Sequence, residues 1–206
     1  EERREVIGGD AACYPLSHAQ KRIYYTEKIF PGTSGNTLAF TVRFREVLDK
    51  QLLEQAVNVL ILKNDALRMR IVEFDFQEEP FQYISPFRPL SLETIDSPAG
   101  DVRQPFQLIN SDLFYFAYLK FNEQESGLYM KFHHVAVDGW TVFLLINEIT
   151  ALYDTLEAGG TVDKTPNLSY TRYLSDEKEY LRSSRAVKDR HFWHNTLLPL
   201  PEEVPL

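Results

Sequence analysis

The 206-residue sequence has little of what several classes of protein require. Its single cysteine, Cys13, excludes a disulfide framework and a cysteine-based zinc site. Glycine and proline contribute only 9 and 11 residues, too few for a collagen-like or disordered chain. The net charge is −8, which argues against a protein that binds nucleic acid through its phosphates.

Long apolar runs are also missing. Stretches such as 143–146 are far shorter than the roughly 20 apolar residues that cross a bilayer. The charged first residues lack the apolar segment of a secretory signal, and no glycine-rich phosphate loop occurs. His191 and His194 could share one side of a helix, but no third ligand is near, so we expect no metal site. We therefore expect a soluble, cytoplasmic protein without nucleic-acid or membrane partners.

What the sequence does contain is a mixed α and β pattern. Apolar residues make up 44% and charged residues 25%, which is enough to bury a core. We expect an α/β fold with helices packed on a mixed or antiparallel sheet. Residues 1–13 are expected to form a leader or linker, 14–198 one compact lobe, and 199–206 a connector.

Local signals predict where most elements lie. Ser17 and Gln20 form a capping box that predicts a helix running to about Ile29. Asp49 is expected to cap the next helix. Residues 86–112 are expected to be irregular. Predicted strands occupy residues 41–47, 67–74, 81–84, 113–121 and 128–134, the last two as a hairpin. Further predicted helices occupy residues 140–156, 169–183 and 185–198, the first with a buried stripe of Phe143, Ile146, Ile149, Tyr153 and Leu156.

The segment His133-His134-Val-Ala-Val-Asp138-Gly139-Trp140 points to chemistry. Two histidines end a predicted strand, and an acid and a glycine follow just before a predicted helix. Loops aimed by rigid elements often carry catalytic side chains. Strand alternation places His134 on the apolar face, so we expect burial to lower its pKa and leave a neutral imidazole that can accept a proton.

The same residues also allow a structural interpretation. A histidine at a strand end can simply be part of the core. Asp138 could pair with an arginine and lock the loop, and Gly139 could let a substrate approach closely. From the residues alone, the segment is a candidate for the base of an acyl transfer.

The motif His133-His134-x-x-x-Asp138-Gly139 resembles the signature of condensation domains of non-ribosomal peptide synthetases, in the wider chloramphenicol acetyltransferase superfamily. The match is not limited to this motif. Lys63, Asn64 and Met69 depart from the family's second motif. Other segments similar to the family, in order, are Ser17-His-Ala-Gln-Lys-Arg22, Asp65-Ala-Leu-Arg68, Pro105-Phe-Gln-Leu108, Ser169-Tyr170-x-x-Tyr173 and Phe192-Trp193.

The resemblance implies a two-layer sandwich that forms one lobe of a two-lobed domain, since motifs of the second lobe are absent. It also implies a role for each matched residue. The implied roles are His134 as general base or as the group that positions the attacking amine, His133 as its support, Asp138 as loop anchor through an arginine, Gly139 as border of the acceptor channel, Trp140 as a substrate contact, and Arg68 as a structural residue.

The reaction implied is amide-bond formation in the biosynthesis of an antibiotic or similar natural product. The amine of an acceptor aminoacyl thioester attacks a donor acyl thioester, both held on 4′-phosphopantetheine arms of upstream and downstream peptidyl carrier proteins. The domain itself would bind no cofactor. Its other expected partners are its C-terminal lobe and an adenylation domain.

Because the family's active site lies between two lobes, the isolated chain is expected to be inactive. Two alternatives remain open. One is a stand-alone acyltransferase that uses coenzyme A, and the other is a non-catalytic lobe that only docks carrier proteins.

Overall fold

The computed structural model describes residues 11–75, 77–101 and 104–199, in two compact units that divide after Tyr170. Residues 1–10 of the expected leader and 200–206 of the expected connector lie outside the described residues. Cys13, also placed in the leader, belongs to the first strand instead. No helix in the described ranges is long and apolar enough to cross a membrane.

The larger unit contains two sheets. Their strands are β1 (Cys13–Pro15), β2 (Thr37–Phe44), β3 (Met69–Val72), β4 (Phe81–Ile84), β5 (Glu93–Ile95), β6 (Phe114–Lys120) and β7 (Ser126–His133). Strands β1, β4 and β3 form an antiparallel sheet in that order. The other sheet has the order β2-β7-β6-β5, in which only the β5–β6 pair is parallel.

The two helices with predicted caps begin directly after those residues. Ser17 and Gln20 form the predicted capping box, and Asp49 accepts hydrogen bonds from the backbone N–H groups of Gln51 and Leu52. A short 3₁₀ helix covers Asp65–Arg68. The α-helices are α1 (His18–Ile29), α2 (Lys50–Lys63), α3 (Gly139–Glu157), α4 (Tyr170–Arg182) and α5 (Ser184–Leu197).

The main core lies between the four-stranded sheet and helices α2 and α3. Apolar side chains of β6 and β7 pack there against both helices. The predicted stripe of α3 was partly wrong, because Phe143 is 64% exposed. A largely apolar helix offers several stripes, and docking on the sheet selects the one it buries. The buried residues of α3 are Val142, Leu145, Ile149, Leu152 and Tyr153.

Three strand predictions needed correction. Strand β2 begins at Thr37 rather than 41, because its register is set by pairing along the whole of β7. Leu67 lies in the 3₁₀ helix, so β3 starts only at Met69. The segment expected to be irregular contains β5. All three residues of this strand pair with β6, and this pairing holds it in place. The hairpin of β6 and β7 and the strand at 81–84 are confirmed.

Gly127 is required by packing in the middle of this sheet. A Cβ atom there would lie 2.5 Å from the carbonyl oxygen of Val42 and 2.8 Å from the ring of Phe121. The carbonyl belongs to the paired strand β2 and cannot move without breaking the ladder. Gly127→Ala should therefore lower the free energy of unfolding by about 1–3 kcal/mol in chemical denaturation. Gly100→Ala is the control, since a Cβ atom there meets nothing within 4 Å. Equal stability of the two variants would contradict the prediction.

Candidate active site

The two histidines lie at the end of the central strand β7. Every residue of β7 is buried, and the strand pairs with β2 on one side and β6 on the other. His133 is its last residue and pairs with Thr37. The chain then turns and enters α3 at Gly139. The position of the turn is therefore set by a strand that is held on both edges.

The side chain of His133 is buried, with 2% of the residue exposed. Its Nδ1 accepts the backbone N–H of Val135 at 3.1 Å, so the proton of the neutral ring is on Nε2. Nε2 has no hydrogen-bond partner in the described part of the chain, although Glu27 Oε2 lies 3.8 Å away. Burial lowers the pKa of His133 to about 4, despite the opposing effect of Glu27. The ring is therefore neutral at pH 7.

His134 is held in the opposite tautomer. Its Nδ1 lies 2.9 Å from the carbonyl oxygen of Val137. A carbonyl oxygen can only accept, so Nδ1 carries the proton and donates it, which leaves the lone pair of the neutral ring on Nε2. The backbone N–H of His134 donates to the carbonyl oxygen of Asn36 at 2.7 Å. One contact thus orients the ring and the other holds the backbone, while Nε2 has no hydrogen-bond partner among the described residues.

The burial predicted for His134 is found at His133 instead. His134 is only partly buried, because the strand ends one residue earlier and its alternation no longer applies. Both faces of β7 are buried, so the alternation of side chains also could not distinguish a solvent-exposed face from a buried one. The ring of Phe106 packs edge-on against His133, with ring centroids 6.2 Å apart.

Asp138 caps helix α3. Its carboxylate accepts the backbone N–H of Thr141 at 2.8 Å and the hydroxyl of Thr141 at 2.7 Å. These hydrogen bonds hold the pKa of Asp138 below its usual value. Asp138 is exposed and pairs with no arginine in the described ranges, so the loop anchor through an arginine that the resemblance implies stays a prediction. A carboxylate directly before a helix finds its donors in the first turn.

Gly139 and Trp140 face open space. A Cβ atom on Gly139 would meet no atom within 4 Å, so packing within this chain does not require a glycine there. Trp140 is 74% exposed, and its neighbours Phe143 and Leu144 are exposed as well. The N-terminal part of α3 therefore presents an apolar surface beside an unobstructed backbone.

A buried pair of amides lies under the turn, and sequence reasoning did not foresee it. Gln20 Nε2 donates to Gln82 Oε1 at 2.9 Å, and Gln82 Nε2 donates back to Gln20 Oε1 at 2.8 Å. Gln20 Nε2 also lies 3.4 Å from the carbonyl oxygen of Val135. The pair ties α1 and β4 to the turn that follows the histidines. The sequence feature that could have indicated this pair is the presence of Gln20 in the first matched motif.

Two other matched segments meet each other in space. Asp65 accepts the hydroxyl of Ser169 at 2.5 Å and the backbone N–H of Tyr170 at 2.9 Å. The Tyr170 hydroxyl lies 3.4 Å from the hydroxyl oxygen of Ser17. Arg68 donates to the carbonyl oxygens of Ile61 and Ser85, contacts that suit the structural role predicted for it.

The described ranges contain no group of three or more His, Cys, Asp or Glu side chains arranged to hold a metal ion. His191 and His194 lie exposed on α5.

The cap at Asp138 should contribute measurably to stability. We expect Asp138→Ala to lower the free energy of unfolding by about 1 kcal/mol, and Asp138→Asn to cost less because an amide oxygen still accepts. Chemical denaturation measures both. Asp163→Ala is a matched control, since Asp163 makes the same two bonds to Thr165 in a segment that precedes no helix. A stability of Asp138→Ala equal to that of the wild type would refute this role.

Burial of His133 should make folding sensitive to acid. Between its ordinary pKa near 6.5 and the value of about 4 in the folded chain, only the unfolded chain takes up this proton. Stability should therefore fall by about 1.4 kcal/mol per pH unit as the pH drops through this interval. His133→Asn keeps an acceptor for Val135 and removes the titration, so its denaturation midpoint should depend less on pH. An unchanged slope would show that His133 does not cause it.

The chain as a whole matches a family of known proteins. A family model described as "Condensation domain" matches residues 10–205. Surfactin synthase subunit 1 of Bacillus subtilis (strain 168) is 35% identical over 94% of this chain and 6% of its own length. A plipastatin synthase subunit of the same organism is 34% identical over 89% of this chain and 8% of its own length.

Solved structures give the same result for the fold. The starter condensation domain of rhizomide synthetase RzmA has a TM-score of 0.83 at 23% identity, over 93% of this chain and 49% of that one. The first condensation domain of the CDA synthetase has a TM-score of 0.79 at 20% identity, over 96% and 53%. The chain thus spans about half the length of these solved domains and less than a tenth of the two synthetase subunits. It belongs to the condensation-domain family, and its fold is that of about half of such a domain.

Proposed function

We propose that this chain is the N-terminal lobe of a peptide synthetase condensation domain and supplies His134 to amide-bond formation. In this proposal residues 14–198 form the lobe and 199–206 begin the linker to a second lobe. The observation that carries it is the tautomer of His134, whose Nδ1 donates to Val137 and whose Nε2 has no hydrogen-bond partner among the described residues, directly after a strand paired on both edges. The family match supplies the reaction class.

The geometry suits an amine that attacks an acyl thioester. The amine nitrogen bonds to the carbonyl carbon of the donor, and the carbon–sulfur bond breaks. The proton that the amine loses passes to Nε2 of His134 and ends on the released thiol. The Val137 carbonyl, which accepts from Nδ1, stabilises the imidazolium formed in between. His133 stays neutral and supports the strand end.

The open side of the turn suits a slender substrate arm. In this proposal a phosphopantetheine chain approaches in front of Gly139, where a Cβ atom would meet no atom within 4 Å, and the exposed Trp140 offers it an apolar contact. In support, a double mutant of the RzmA starter condensation domain was solved in complex with C8-CoA and Leu-SNAC. We infer that the substrates here are thioesters on two peptidyl carrier proteins of a synthetase that also contains an adenylation domain.

His134 is the residue on which the proposal depends. In a protein that contains this chain and both lobes, we expect His134→Ala to fold normally and to slow condensation. Loss of a general base lowers the rate by about 10²–10⁴-fold, and loss of amine positioning alone by less. Single-turnover assays with both carrier proteins preloaded measure the bond-forming step.

His133→Asn is the matched control for His134→Ala. This variant should lower the free energy of unfolding while the condensation rate stays near that of the wild type, because the His133 ring is buried and neutral. Abolished condensation in His133→Asn with a near wild-type rate in His134→Ala would reverse our assignment. Acyl transfer from free coenzyme A thioesters by the 206 residues alone would instead favour the stand-alone acyltransferase.

A further inference from the structure

The buried Nε2–H of His133 lies near an acidic residue of α1, Glu27. It is a buried side-chain polar atom with no hydrogen bond in the described ranges. Oxygen Oε2 of Glu27, a residue that is 8% exposed, lies 3.8 Å from it. A buried acid is rarely kept without a function, because removing a carboxyl group from water costs free energy.

Glu27 is also connected to His134. The side-chain amide of Asn36 donates to the same Oε2 at 2.8 Å. The backbone carbonyl of Asn36 in turn accepts the N–H of His134 at 2.7 Å. One oxygen of Glu27 therefore faces the ring of His133 and the residue that holds the backbone of His134.

We propose that Glu27 is a positioning residue, which holds His134 in place through Asn36. The catalytic part of this inference rests on the proposed function. Groups that face His133 are Glu27 from α1, Phe106, and the turn residues His134 and Val135. The 3.8 Å between Oε2 and Nε2 is too long for a hydrogen bond, so Glu27 acts on His134 through the hydrogen bonds of Asn36.

An amide oxygen can also accept from Asn36. Glu27→Gln should therefore preserve the position of His134, whereas Glu27→Ala leaves the side-chain amide of Asn36 without its acceptor. Glu79→Ala is the matched control. Glu79 pairs with Lys21 of α1 at 2.6 Å on the surface and touches neither histidine.

Hydrogen–deuterium exchange of the complete protein containing this chain tests the positioning directly. Backbone N–H groups of His134, Val135 and Ala136 are all bonded in the turn, so the peptide covering residues 133–138 reports on it. We expect Glu27→Ala to speed exchange there by about 10-fold or more, with unchanged exchange in α2. Glu27→Gln and Glu79→Ala should match the wild type.

Single-turnover condensation tests the consequence for catalysis. Glu27→Ala should lower the maximal rate by about 10–100-fold and leave half-saturation by the acceptor unchanged, because the reacting groups are misplaced while binding persists. Glu27→Gln should restore most of the rate. A purely structural role would not produce this split, nor its recovery in the glutamine variant.

The two measurements separate the ways in which the inference can fail. Wild-type exchange at 133–138 in Glu27→Ala would overturn it, as would a Glu27→Gln variant as impaired as Glu27→Ala. If Glu27→Ala unfolds and exchanges throughout α2, Asn36→Ala decides, and unchanged exchange at 133–138 in that variant overturns the inference. If the wild type does not condense, the proposed function fails while the exchange result still decides the positioning of His134.

Discussion

The pairing of β7 with strands on both of its edges is the constraint on which the site depends. Its backbone is committed to β2 and β6, and its side chains are buried on both faces. Such a strand cannot slide by one residue without moving every side chain to the wrong face. The turn that starts after His133 therefore has a fixed origin, so hydrogen bonds can fix the positions of its residues.

The backbone of that turn decides what each histidine can do. An N–H group faces Nδ1 of His133, and a carbonyl oxygen faces Nδ1 of His134. Because the first can only donate and the second can only accept, adjacent imidazoles take opposite tautomers. Among the described residues, the lone pair of the His133 ring is used by Val135, whereas Nε2 of His134 has no hydrogen-bond partner, so the two identical side chains differ in what they can accept.

Local signals predicted the elements whose causes are local. The Ser17–Gln20 box, the Asp49 cap and the β6–β7 hairpin each depend on residues close in sequence. The start of β2, the strand β5 and the exposed face of α3 depend on which distant segments pair. The burial of His133 is of this second kind, since Phe106 and Glu27 cover it from far along the chain. Likewise, the matched motifs named His134, but only the structure shows that Asn36 holds its backbone.

The two sides of the turn differ in burial and in hydrogen bonding. Beneath it, Gln20, Gln82 and Glu27 are buried polar groups that the chain itself must satisfy. Above it, Gly139 has empty space where a side chain would fit, and Trp140 exposes an apolar ring to water. Folding of this chain does not explain a glycine and a tryptophan in those positions. The open side of the turn is therefore accessible to another molecule, whereas the side beneath it is fixed by hydrogen bonds within the chain.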